Sequence, residues 1–134
     1  MEIMEKHVNE SNLDEVYQLI QKGRKLIGLD MEDVKSILVG KEGILFEAYK
    51  DEGVENGVFL KEFFDTLKKR ELVQNCTGLL FNIVMPHDDQ LVLDDMEKIN
   101  DFLHSFEEKD MVIHWGMRVD DQGSRTSILT ICTK

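Results

Sequence analysis

The sequence predicts an α+β domain: two helices, then a β-α-β-α-β-β order that builds a two-layer, mixed four-stranded sheet. Three observations carry this. Four segments have strand length and strand patterning, at residues 43–50, 77–85, 111–119 and 126–133. Two strongly amphipathic helical stretches separate the first three of them. Only a short loop separates the last two. Crossover helices imply that the early strands run parallel, and the short loop implies a closing antiparallel hairpin.

Residues 1–10 are polar and are expected to be flexible. Asn12 and Glu15 form a capping-box-like start. Leu13, Val16, Tyr17 and Ile20 follow at helical spacing, with the pattern continuing loosely to Leu26 and Ile27 and stopping near Gly28. A second, short helix has Met31, Val34, Ile37 and Leu38 on one face, closed by Gly40. The strand at 43–50 comes next, then a helix marked by Phe59, Leu60, Phe63, Phe64 and Leu67 that ends near Arg70. Thr77 to Met85 is an unbroken apolar run, as in a strand buried on both faces, and Pro86 ends it. Asp94 and Asp95 open a helix whose core face is Met96, Ile99, Phe102, Leu103 and Phe106. Residues 111–119 alternate, with Met111, Ile113, Trp115, Met117 and Val119 on one face and His114 and Arg118 on the other. The chain, residues 1–134, reads as one domain without repeats or linkers. At 15.6 kDa it has a folded surface of ~7,000 Å² by size scaling, enough burial for a self-sufficient core.

A net charge of −11 sets the chain against nucleic acid and anionic lipid as partners. The longest basic cluster, Lys68-Lys69-Arg70, suits the cationic last turn of a helix. Cys76 and Cys132 are far apart and form no C-x-x-C pair, so neither a disulfide framework nor a zinc site is expected. The first ten residues lack the pattern of a signal peptide, and no apolar run is long enough to span a bilayer. The expected location is the cytoplasm, and no metal or cofactor is expected.

Candidate chemistry is sparse. There is no glycine-rich phosphate loop, and the serines lack a nucleophile-elbow context. His87 with Asp88 and Asp89 is the one imidazole–carboxylate cluster, and a solvated loop accounts for it. The stretch Gly28-Leu29-Asp30-Met31-Glu32-Asp33-Val34 places two carboxylates three residues apart at a helix start. Capping explains such a pair, because an aspartate at this position accepts the free N–H groups of the first turn.

Three stretches, in this order and spacing, resemble the C-terminal domain of FtsZ, the tubulin-like GTPase of bacterial cell division. GLDMEDVKSILVGKEGILFEAY resembles the loop, helix and strand that begin that domain. NCTGLLFNIVMPHDDQLVLDDMEKINDFLHSF resembles its central strand–helix block, with Gly78, Leu80, Asn82, Ile83, Leu91 and Leu93 in register. MVIHWGMRVDDQGSRTSILTICT resembles the closing strands, with Gly116 and the Asp120-Asp121 turn. The resemblance runs from about Asp14 to Thr133. It implies that Gly28, Leu29, Asp30, Met31 and Asp33 correspond to the loop that one subunit inserts into the nucleotide pocket of the next. Asp30 and Asp33 would then be the pair that acts in trans on the water attacking the γ-phosphate. The family asparagine falls on Gly28, so its amide is lost here. The family's GTP-binding domain has no counterpart in this sequence.

The resemblance therefore implies a non-catalytic interaction module, docking on an FtsZ- or tubulin-type GTPase to cap or modulate its polymer. The alternative is a self-associating structural or ligand-binding domain. An enzyme reading has one fold analogy, a small trimeric chorismate mutase of the same element order. Its dianionic substrate needs convergent arginines, and the sequence offers Arg24, Arg70, Arg118 and Arg125.

Overall fold

Strand β4, Gly78–Pro86, is buried at every position, and the sheet is built around it. The computed structural model describes residues 1–134. In chain order the elements are β1 (Ile3–Asn9), α1 (Leu13–Leu19), β2 (Arg24–Ile27), α2 (Met31–Leu38), β3 (Glu42–Tyr49), α3 (Asn56–Lys68), α4 (Glu71–Gln74), β4, α5 (Leu93–His104), β5 (Val112–Asp120) and β6 (Ser127–Thr133). The sheet order is β1-β3-β6-β4-β5-β2. Only β4 and β5 pair in parallel; every other neighbouring pair is antiparallel.

The α+β class and the mixed sheet are as the sequence predicts, but the sheet has six strands rather than four. Both added strands lie at edges. Residues 3–9, expected to be flexible, form β1 and pair with β3 over their whole length. Their charged side chains suit an edge strand with one face toward water. The first helix is also shorter than its pattern suggests. It stops at Leu19, and the chain reverses at Gly23, whose φ is +70°. A Cβ there would lie 2.2 Å from the Val119 carbonyl oxygen, so the turn requires glycine. Leu26 and Ile27 consequently leave the helix pattern and sit half-exposed on β2, beside β5.

The expected closing hairpin is replaced by a crossover. β5 and β6 do run in opposite directions, but β4 lies between them. Residues 121–126 carry the chain across. Likewise β3 and β4 point the same way, as expected for the early strands, with β6 inserted between them. A strand apolar on both faces takes an interior place, where two neighbours satisfy its backbone groups and helices cover both sides.

Helices cover both faces, so the sheet is the middle of three layers rather than one of two. Leu79, Phe81, Ile83 and Met85 of β4 face α3, α4 and α5, while Leu80 faces α1 and α2. The accessible surface is 7335 Å², close to the size expectation. No helix is long and apolar enough to cross a membrane. Cys76 and Cys132 are both free and buried in the core under α3 and α5.

Candidate functional site

The Gly28–Asp33 stretch forms the entry to α2. Asp30 is the N-cap, with extended backbone angles, and its Oδ1 accepts the Asp33 N–H at 3.0 Å. Asp33 reciprocates: its Oδ2 accepts the Asp30 N–H at 2.9 Å. This is a capping box, in which each carboxylate satisfies a backbone donor that the helix start leaves free. Both aspartates therefore cap the helix, as their spacing predicts. The hydrogen bond from the Asp33 backbone N–H holds the exposed Asp30 carboxyl below its usual range, with smaller pushes that include the charge of His114. The Asp30 carboxylate is thus kept as an anion at the positive end of a helix dipole.

The five residues of the stretch divide in their exposure. Gly28 and Asp30 are exposed, and Met31 and Asp33 are half-buried. Leu29, expected at the interaction face, is 6% exposed and belongs to the core under α1 and α2. It anchors the loop rather than presenting it. Gly116 of β5 makes that anchoring possible. A Cβ at Gly116 would lie 2.8 Å from the Ile27 carbonyl oxygen and 2.9 Å from both Leu29 Cγ and Asn82 Oδ1. The loop therefore lies directly on the β5 backbone.

His114 completes the face. Its Nδ1 lies 3.2 Å from Asp33 Oδ1, with the imidazole 31% and the carboxylate 26% exposed. The alternation of β5 puts His114 on the polar side of its strand, but nothing local joins it to Asp33; that pairing depends on where α2 crosses the sheet.

The His87–Asp88–Asp89 loop does not act as a unit. His87 Nδ1 lies 3.5 Å from Asp121 Oδ1 and 3.4 Å from Arg24 Nη2, in an exposed position. Asp89 turns the other way. It accepts from the buried Lys50 ammonium and from Asn56 Nδ2, while Thr126 donates to Asn56 Oδ1 at 2.8 Å. That network ties the loop to the start of α3. A buried lysine needs such a partner, because an unpaired charge there is costly. No group of three or more His, Cys, Asp or Glu side chains is arranged to hold a metal ion. The four arginines are engaged at separate places. Arg24 faces Asp121 and Arg70 faces Glu5. Arg118 donates to the Lys22 and Gly23 carbonyls, and Arg125 to the Lys50 carbonyl.

No protein-family model matches the chain, and no curated protein matches its sequence. Solved structures do match. One is an empty FtsZ dimer from M. jannaschii, with TM-score 0.63 and 19% identity over 92% of this chain and 36% of that one. Another is a GTPγS-form protofilament of TubZ from Bacillus thuringiensis serovar israelensis, with TM-score 0.59 and 14% identity over 91% of this chain and 33% of that one. The GDP-form TubZ protofilaments give 0.58 and 13%, over 84% and 31%. The fold is that of the tubulin/FtsZ C-terminal domain, and the chain spans about a third of the length of these structures.

Proposed function

We propose that this domain is an interaction module that docks through its Gly28–Asp33 face onto the nucleotide end of an FtsZ- or tubulin-type GTPase. It would cap the partner's polymer or modulate its turnover, in the cytoplasm and in the context of bacterial cell division. The observation that carries this reading is the reciprocal Asp30–Asp33 pair, each carboxyl group fixed by the other residue's backbone N–H at the surface start of α2 on this particular fold. A carboxylate pair fixed by its own backbone is preorganised, so positioning a water beside a phosphate requires little further ordering. The GTP, its magnesium and the phosphate-binding loop would all belong to the partner. The domain alone would carry half of a composite site and turn over nothing. The similar structures of FtsZ and TubZ, described as a dimer and as protofilaments, fit a fold used in end-to-end assembly.

The test combines pull-down with light scattering and phosphate release from a cognate FtsZ-type GTPase. The expected result is binding, with shortened polymers or an altered hydrolysis rate, the effect on hydrolysis being weakened by Asp30→Ser and Asp33→Asn. No binding together with unchanged polymerisation and hydrolysis would sink the proposal.

Self-association is the second reading, favoured by the two open sheet edges at β1 and β2, where Met4, Leu26 and Ile27 are exposed. Light scattering coupled to size exclusion decides it. A mass that stays at 15.6 kDa across concentrations counts against it.

A further inference from the structure

The docking reading assigns roles to Asp30 and Asp33 but none to the imidazole beside them. His114 stands on β5, and Asp33 on the first turn of α2, so two separate elements bring them within 3.2 Å. The groups around the ring are few. From α2 come Asp33 and the charge of Asp30. From β4 comes the register partner Leu80, which is apolar and buried. Along the same side of β5 lie Gly116 and then Arg118, whose guanidinium is committed to the Lys22 and Gly23 carbonyls. From β2 the Lys25 side chain runs beside Gly28. Histidine is the side chain that ordinarily serves as a charge switch near neutral pH, and His114 is the histidine in contact with the acidic pair.

We infer that His114 sets the charge of the candidate docking face: neutral, it leaves the pair at two negative charges; protonated, it pairs with Asp33 and leaves one. The consequence for a partner rests on the docking reading. The face is offered to a nucleotide phosphate, which is itself anionic. Removing one negative charge therefore strengthens docking as pH falls, by about threefold for a charge several ångströms away in a water-exposed site. The same protonation occupies Asp33 and removes it from positioning water, so stimulation of hydrolysis falls while binding rises.

The experiment begins on the isolated chain by NMR between pH 5 and 8. The Asp30 and Asp33 amide resonances are expected to move with the midpoint of the His114 ring proton. In His114→Gln, with an unchanged thermal midpoint confirming the fold, that transition disappears. Amides that ignore the His114 midpoint overturn the inference. Docking to the cognate GTPase is then measured over the same range. An increase in affinity toward low pH that His114→Gln abolishes supports the consequence, and an increase that survives the substitution overturns it. Coupled amides with no docking at any pH leave the charge coupling standing and remove the docking reading instead.

Discussion

Under α3, α4 and α5 the sheet carries an aromatic core; under α1 and α2 it carries an aliphatic one. All seven phenylalanines lie on the first face. Phe64 and Phe102 stack at 4.2 Å, Phe81 stacks on Trp115 at 5.6 Å, and edge contacts link Phe81 to both Phe64 and Phe102. The second face is made of Val, Leu and Ile, from Val8 on β1 to Ile131 on β6. The larger core fixes the sheet as a platform. The smaller one holds two short helices and leaves the start of α2 at the surface, with Asp30, Asp33 and His114 around it. Stability and candidate chemistry thus sit on opposite sides of one sheet, and substitutions can address them separately.

The largest effect is expected from Phe102→Ala, which removes three ring contacts and should cost about 3–5 kcal/mol in denaturant unfolding. Leu38→Ala on the other face should cost less, about 2–4 kcal/mol. Equal losses would break the comparison, since they would mean that the two cores bear the fold alike.

Gly116→Ala comes next, at about 1–3 kcal/mol, because its methyl group must push back the Ile27 carbonyl and Leu29. Its signature is local: the amide resonances of residues 28–33 should shift while those of α3 and α5 stay in place. Shifts confined to α3 and α5 would show that the loop does not rest on β5 as described.

Acid should weaken the molecule through surface carboxylates of both faces. Arg70 lowers the pKa of Glu5, Lys6 that of Glu15, and Lys61 that of Asp65, each by a hydrogen bond; the Asp33 backbone N–H does the same for Asp30. A carboxylate with a depressed folded pKa contributes stability above its unfolded value and loses it as pH falls through the folded value. The denaturation midpoint should therefore hold down to about pH 5 and fall from there toward pH 2. A midpoint that stays flat to pH 2 would show that these pairs contribute nothing.

Asp30→Ser should have the smallest effect on stability, because serine caps a helix about as well as aspartate. It removes the charge while keeping the cap. An unchanged unfolding curve with lost stimulation of the partner's hydrolysis would separate the two roles of Asp30. Lost stability with intact stimulation would leave capping as its whole role.

Local rules made much of α2 legible in advance. Its start at the acidic pair, its apolar face and its close at Gly40 each depend on residues within a few positions of one another. The alternation that put His114 and Arg118 opposite Trp115 and Met117 is likewise a property of one strand. Local pattern failed where the partner was distant. β1 reads as a polar tail until β3 supplies its hydrogen bonds. Leu26 and Ile27 continue a helical pattern until Gly23, pressed against the Val119 carbonyl, turns the chain onto β5. The strand order also lay beyond local reading, because periodicity records which faces are apolar but not which neighbour covers them.

What the sequence determined by itself is the set of main elements, their buried faces and the pair Asp30–Asp33, since each follows from backbone geometry over one or two turns. The tertiary structure decided that Leu29 is an anchor, that Asp89 serves Lys50 rather than His87, and that His114 stands beside Asp33. Each of those depends on where a helix or loop crosses a sheet whose order is set by competition among strands for the buried centre, and no short stretch of chain contains that competition.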